Sequence, residues 1–157
     1  MNPSIYLDNN ASTPVDPRVI EEMVRILTTV QGNPSSVHAD GQHAMKELAN
    51  ARQKVATAFG VKPMEVVFTS GATEALTMVI KGFFEKSPGG HAITTNVEHA
   101  AVYRCMQWAQ EKGVEITSLE VGRRGAPTPE MVRAAIKPNT RLIILMAANN
   151  ETGVLTD

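Results

Sequence analysis

Between Asp16 and Val30 the apolar residues Ile20, Met23, Val24, Leu27 and Val30 recur at steps of three and four, with charged residues between them. That is the period of an amphipathic helix. Asp16-Pro17 supplies an N-cap and a proline in the first turn. Gly32-Asn33-Pro34-Ser35-Ser36 breaks the run. A longer helix is predicted beyond it, with Ala44, Leu48, Ala51, Val55, Ala58 and Phe59 on one face and Gly60 as its stop. Ahead of both, Ile5-Tyr6-Leu7 reads as a short strand before a polar turn at residues 8–14.

From residue 65 onward, strand-like and helix-like stretches alternate. Residues 65–69 read as a strand. Residues 72–85 read as a helix with Leu76, Val79, Ile80, Phe83 and Phe84 on one stripe. Residues 92–95 are a strand, 100–112 a helix closed by Gly113, and 114–121 another strand. Thr128-Pro129-Glu130 opens a short helix that ends before Pro138. Residues 141–148, RLIILMAA, are apolar on both faces, the pattern of a central strand in a parallel sheet. Strands alternating with helices predict an α/β fold with a mostly parallel sheet. Ligands of such sheets sit beyond the carboxyl ends of the strands. That rule selects three turns, at residues 70–74, 96–99 and 149–153.

Composition narrows the classes. A chain of 157 residues suffices for a real hydrophobic core. A net charge of −1 implies no general attraction to nucleic acid or to an anionic membrane. No apolar run approaches the roughly 20 residues of a membrane span, and Met1-Asn2-Pro3-Ser4 has neither a basic region nor an apolar signal core. The expected location is the cytoplasm. The single cysteine, Cys105, excludes an internal disulfide and falls on the apolar face of its helix, where a buried structural thiol is expected.

Of the three turns, Ser70-Gly71-Ala72-Thr73 enters a helix. The first N–H groups of a helix lack internal partners and carry the positive end of its dipole, so an anion is favoured there. Gly71 permits close approach, and Ser70 and Thr73 offer hydroxyls. The turn has no lysine and no P-loop spacing, which argues against a magnesium-bound nucleoside triphosphate. Helix capping alone would also explain these residue types. His99 stands at the end of the next strand and loop, placed to stack on a planar group or to pass a proton. Asn149-Asn150-Glu151-Thr152-Gly153 reads either as a plain turn or as an amide aimed at a ligand oxygen. His38 and His43 lie five apart without supporting cysteine or carboxylate ligands, so no metal is expected. Arg123-Arg124 reads as a solvated connection.

Five stretches occur in order along the chain: IYLDNNASTPVDPRV (5–19), GNPSSVHADG (32–41), FTSGATEA (68–75), EHAAV (98–102) and NNETG (149–153). Together they resemble the N-terminal part of a cysteine desulfurase, a group of class V aminotransferase-like, fold-type-I pyridoxal phosphate enzymes that supply sulfur for iron–sulfur cluster assembly. The resemblance implies an N-terminal helical arm plus a partial, mostly parallel sheet of the PLP-dependent transferase large domain. Residues 1–40 would be the arm and an active-site-bordering loop that includes Asn9 and Asn10. Residues 41–157 would be the first half of the large domain.

The same resemblance implies pyridoxal 5'-phosphate as cofactor, with Ala72 and Thr73 on its phosphate. His99 would stack over its ring and move protons, and so count as both a cofactor-binding and a catalytic residue. Asn150 would lie beside its phenolic oxygen and the substrate. The implied partners are L-cysteine, a second copy in a homodimer, and a sulfur acceptor such as a cluster scaffold protein. Leu76-Thr77 departs from the family, which often has paired asparagines there.

Length departs further. The family's enzymes are more than twice as long, and their cofactor-binding lysine, pyridinium-pairing aspartate and sulfur-accepting cysteine match nothing here. An N-terminal portion, inactive by itself, is therefore expected. The other readings are a related class V lyase of the selenocysteine lyase type, or a short non-catalytic subunit that pairs with another chain.

Overall fold

The computed structural model describes residues 5–157, so the expectation drawn from the first four residues lies outside it. The chain forms two compact units, one ending at Phe68 and one running Thr69–Asp157. Among the described residues no helix is long and apolar enough to cross a membrane.

The first unit contains two helices, α1 (Pro17–Thr29) and α2 (Ala39–Phe59). Asp16 caps α1 by accepting the Arg18 N–H at 2.9 Å, and its carboxylate also holds the Arg18 guanidinium. The apolar stripe of α1 is there as its spacing implies, yet none of its residues is buried. Arg25 links the helices by donating to both Glu22 and Glu47. At the start of α2, His38 Nδ1 accepts the Gly41 N–H at 3.4 Å. Gly60 closes the helix in the left-handed conformation, φ 66°, where a side chain would be strained.

Two expected strands are absent from this unit. Residues 5–7 are exposed and unpaired. Residues 65–69 become a 3₁₀ turn at Pro63–Glu65 and an extended segment without a ladder. There, a side chain acts where a neighbouring strand would. Arg52 donates to the Val66 carbonyl and lies 5.0 Å over the Phe68 ring.

The second unit runs α3 (Ala72–Lys86), β1 (His91–Thr95), α4 (Ala100–Glu111), β2 (Glu115–Leu119), α5 (Pro129–Ala135) and β3 (Thr140–Ile143). Gly122–Arg124 forms a 3₁₀ turn between β2 and α5. The three strands are parallel, in the order β2-β1-β3. This is the predicted α/β architecture with one correction. The apolar run at 141–148 is a strand only as far as Ile143, and among the described strands it lies beside β1 rather than between two others. β1 is central, and all five of its residues are buried. β3 stops at Ile143, on the edge of the three strands. Ile144 continues toward β1 by donating to Ile93 O at 2.9 Å. Beyond it the chain folds back, so that Ala148 bridges Leu155 in antiparallel fashion. The two asparagines that end the run favour this turn over an extended strand.

Ile80 and Phe84 of α3 pack with Val102, Cys105, Met106 and Ala109 of α4 and with Ala92 of β1. Right-handed crossovers place α4 and α5 on opposite faces of the sheet, because β2 and β3 flank β1 on opposite sides. The chain therefore leaves β1 in one direction and returns through β3 on the other. The carboxyl ends of β1 and β3 form a topological switch point, the usual ligand crevice of an open α/β sheet.

Candidate cofactor site

All three ligand-facing turns belong to the second unit, and the packing of its elements brings them to one end. α3 feeds β1 and α4 follows it, so both helices run against the strands and start at the carboxyl end of the sheet. The two helices pack side by side. Cys105 Sγ lies 3.7 Å from Thr77 Oγ1, and one turn later the Lys81 ammonium sits 5.1 Å over the Trp108 ring. Stepping one turn back from Thr77 and Cys105 places Thr73 level with Ala101. The first turns of α3 and α4 are thus neighbours, each with its N–H groups toward the switch point.

The start of α3 has no side-chain cap. Gly71 is the N-cap, its backbone is extended, and a Cβ built on it would meet open space. The N–H groups of Ala72, Thr73 and Glu74 have no acceptor among the described residues, whereas Ala75 N already donates to Gly71 O at 3.1 Å. The Thr73 hydroxyl is likewise exposed and without a partner among them. This is the donor set that an anion of phosphate size requires.

Ser70 does not join it. Glu74 Oε2 accepts both the Ser70 N–H at 2.6 Å and the Ser70 hydroxyl at 2.7 Å. These bonds, the hydroxyl's first, hold the Glu74 carboxyl below the usual carboxylate range. Ser70, offered by its residue type as a phosphate donor, instead locks the turn from outside. Thr69 helps by donating to Gly71 O at 3.1 Å.

His99 is the N-cap of α4. Its Nδ1 accepts the Ala101 N–H at 3.1 Å, which fixes the ring and leaves Nε2 as its free edge. The loop before it is tied to the segment after β3. Glu98 Oε1 accepts the Thr95 hydroxyl at 2.8 Å and the Met146 N–H at 2.9 Å. Asn149 donates through Nδ2 to Val97 O at 3.2 Å and accepts the N–H groups of Glu151 and Thr152 at 2.9 Å each. Of the asparagine pair, Asn149 is therefore occupied inside the loop. Asn150 is exposed and donates only to its neighbour Glu151. Sequence reasoning passed over Glu98 as an organiser, because a glutamate between strand and helix looks like ordinary surface.

The remaining candidates serve structure. Cys105 is buried at 3 % exposure beneath α3. His38 caps α2, and His43 lies 3.7 Å from Glu47. Among the described residues, no three His, Cys, Asp or Glu side chains gather as metal ligands.

A parallel sheet with a switch point and two paired helix starts, one of them uncapped, make an α/β unit of the kind that can take a phosphate group at a helix N-terminus. The profile of the class-V aminotransferase family, Aminotransferase class-V, matches residues 5–157, and the chain belongs to that family. Its desulfurase branch consists of pyridoxal 5'-phosphate-dependent enzymes.

Among curated proteins the chain is 45 % identical, over 98 % of its length, to the cysteine desulfurase IscS of Stutzerimonas stutzeri. It is also 45 % identical to the mitochondrial cysteine desulfurase of Arthroderma benhamiae. It spans 39 % of the first relative and 32 % of the second. Among solved structures, a NifS-like protein superposes with a TM-score of 0.88 at 39 % identity, over 97 % of this chain and 42 % of that one. SspA in complex with cysteine superposes with a TM-score of 0.89 at 35 % identity, over 98 % and 45 %.

Proposed function

We propose that this chain supplies the phosphate cup and the ring-stacking wall of a PLP-dependent cysteine desulfurase. Such an enzyme converts L-cysteine to L-alanine and passes the sulfur to an acceptor, here a scaffold protein for iron–sulfur clusters. The observation that carries the reading is the uncapped start of α3 beside the start of α4, with His99 on the latter. The similarity to desulfurases over nearly the whole chain gives the reaction class.

The residues present fit the cofactor. The N–H groups of Ala72 and Thr73, with the Thr73 hydroxyl, donate to the phosphate oxygens at the positive end of α3. The His99 ring packs on the face of the pyridine. With Nδ1 occupied by Ala101, any proton it moves is carried at Nε2. The Asn150 amide gives one proton to Glu151, and its second proton is the donor assigned to a cofactor or substrate oxygen. Glu98 and Asn149 keep the two loops in register. When bound, pyridoxal phosphate acts as an electron sink for bond cleavage in the amino acid, and the protein orients and tunes it.

Cys105, under the helix pair, is not assigned the sulfur-accepting role, and no lysine of this chain is assigned a covalent bond to the cofactor. Residues 1–40 are assigned to the arm and 41–157 to the first half of the cofactor domain, in a cytoplasmic homodimer.

The test is a pyridoxal phosphate titration followed by absorbance. Thr73→Ala removes one hydrogen bond to a charged group and should weaken binding by about 1–2 kcal/mol. The purified 157-residue chain should release no sulfide from L-cysteine. Unchanged affinity in Thr73→Ala would remove the phosphate assignment, and sulfide release by the chain alone would remove the division of labour.

A further inference from the structure

Given the cofactor reading above, on which this rests, we propose that Glu98 is a positioning residue for the cofactor ring: its carboxylate stands in for a strand carbonyl between the ends of β1 and β3 and holds apart the loops that carry His99 and Asn150.

The place of Glu98 follows from the ladder. In a parallel pair the hydrogen bonds repeat evenly, every two residues along each strand. β1 and β3 keep that repeat as far as Ile144, whose N–H donates to Ile93 O at 2.9 Å. Two residues further along both strands, the Met146 N–H is due at Thr95 O. It goes instead to Glu98 Oε1, at 2.9 Å. The hydroxyl of Thr95, the buried last residue of β1, donates to the same oxygen at 2.8 Å. A side chain thus takes the next donor of the ladder, and the pairing of β1 with β3 ends where the crevice begins.

This strut works against a tie. Asn149 Nδ2 donates to Val97 O at 3.2 Å and draws the same two segments together. Each of the two bonds stands one residue from a proposed cofactor contact, since Glu98 precedes His99 and Asn149 precedes Asn150. Met146 is held from its other end too, because its carbonyl accepts the Thr156 hydroxyl at 2.5 Å. His99 is fixed to the first turn of α4 through Nδ1, so its ring follows the loop that Glu98 sets.

Glutamate suits the place chemically. One ionised oxygen accepts two donors in charge-assisted bonds. A glutamine carbonyl can accept at the same point. Aspartate is one methylene shorter, and alanine leaves the Met146 N–H free to reach Thr95 O. The strand ends then zip together by one more bond and the two loops approach. The phosphate donors are on α3, a separate element. Loss of the strut should therefore cost the ring contacts and spare the phosphate.

The test titrates two ligands separately into the ¹⁵N-labelled 157-residue chain, followed by amide shifts. One is inorganic phosphate. The other is pyridoxine 5'-phosphate, which carries the ring but has no aldehyde to bond lysine. Wild type should prefer the ring-bearing ligand about threefold to tenfold, the worth of a stacking contact. Glu98→Gln should keep most of that preference. Glu98→Ala and Glu98→Asp should lose it, with phosphate affinity within about twofold of wild type. In ligand-free Glu98→Ala the nuclear Overhauser contacts between Thr95 and Met146 should strengthen. Glu98→Asp, which keeps the charge, gives the reading if Glu98→Ala does not fold. A preference kept by either folded variant, or phosphate affinity lost by the same factor, would overturn the role of Glu98 alone. Equal affinity for the two ligands in wild type would overturn it as well. Binding of neither ligand by wild type would overturn the cofactor reading and this role with it.

Discussion

His91 opens the central strand, fully buried, and holds three strands together. Its ring nitrogens meet Thr140 of β3 at 2.7 Å and Thr117 of β2 at 2.8 Å. The hydrogen-bond network chooses the tautomer. Thr140 Oγ1 already accepts the Lys137 N–H at 2.7 Å, so its own proton is free for His91 Nδ1. His91 Nε2–H then donates to Thr117. Replacing the ring by leucine removes two bonds worth about 1 kcal/mol each and strands the Thr117 hydroxyl, a loss of about 2–3 kcal/mol in all.

The same burial makes the site sensitive to pH. Desolvation, and after it the Lys137 charge, lower the His91 pKa, and Glu115 only partly opposes them. Above about pH 6.5 the ring is neutral in both native and unfolded chains and pH has no effect through it. As pH falls through that value the unfolded chain takes up a proton that the native chain refuses. Stability drops, by at most about 1.4 kcal/mol per pH unit, until native His91 protonates too. Urea unfolding at pH 7.5, 6.5 and 5.5 reads this when wild type is compared with His91→Gln, which can bridge both threonines without titrating. Subtracting the variant removes the contribution of the carboxylates. Parallel pH profiles, or an NMR titration placing His91 at or above the free-histidine value, would refute the reasoning.

His99→Asn should leave thermal stability unchanged, because asparagine also caps a helix, while His99→Ala should cost about 1 kcal/mol in a melt; in the active enzyme both should lower turnover about a hundredfold or more, and a turnover loss matching only the loss of cofactor would make His99 a binding residue alone. Glu98→Ala should cost about 2–3 kcal/mol in urea unfolding by freeing Thr95 and Met146 from one another, with Glu98→Gln losing less than half of that. The exposed stripe of α1, where Leu27 is 76 % and Met23 55 % exposed, should drive concentration-dependent association in light scattering, and Met23→Lys with Leu27→Lys should reduce it.

The helices were legible because their signals are local. Asp16, His38 and Thr128 each accept a backbone N–H within three residues, as caps do. The strands were less legible because a strand is defined by its neighbours. Val66-Val67-Phe68 has strand composition, yet its partner is the Arg52 side chain, fourteen residues upstream. RLIILMAA is apolar enough for the centre of a sheet, yet it pairs with β1 only through residue 143, and the turn after Ala148 folds the rest back. Val24 and Leu27 carry a clean helical period without being buried, since period reports a face and not what covers it. Glu98 was invisible for the same reason. It matters through contacts across elements that no window of sequence contains.

Two histidine caps stand at different places in the fold. His38 and His99 do the same local work, each accepting through Nδ1 the N–H of a residue in its own helix's first turn. What differs is the element that precedes each. His38 follows a loop, and His99 follows the carboxyl end of the central parallel strand, where the order β2-β1-β3 opens a crevice. The second ring therefore stands beside the carboxyl end of the sheet, where ligands of open α/β sheets lie. Ser70 and Thr73 divide in the same way. Both are small hydroxyl residues at one helix entrance, but Glu74 takes the first and leaves the second free. The proposed cofactor contacts, Thr73 and His99, are thus the residues at these helix entrances that keep a polar edge unpaired among the described residues. Phosphate affinity should follow that unpaired edge and be indifferent to Ser70→Ala once the turn is kept closed.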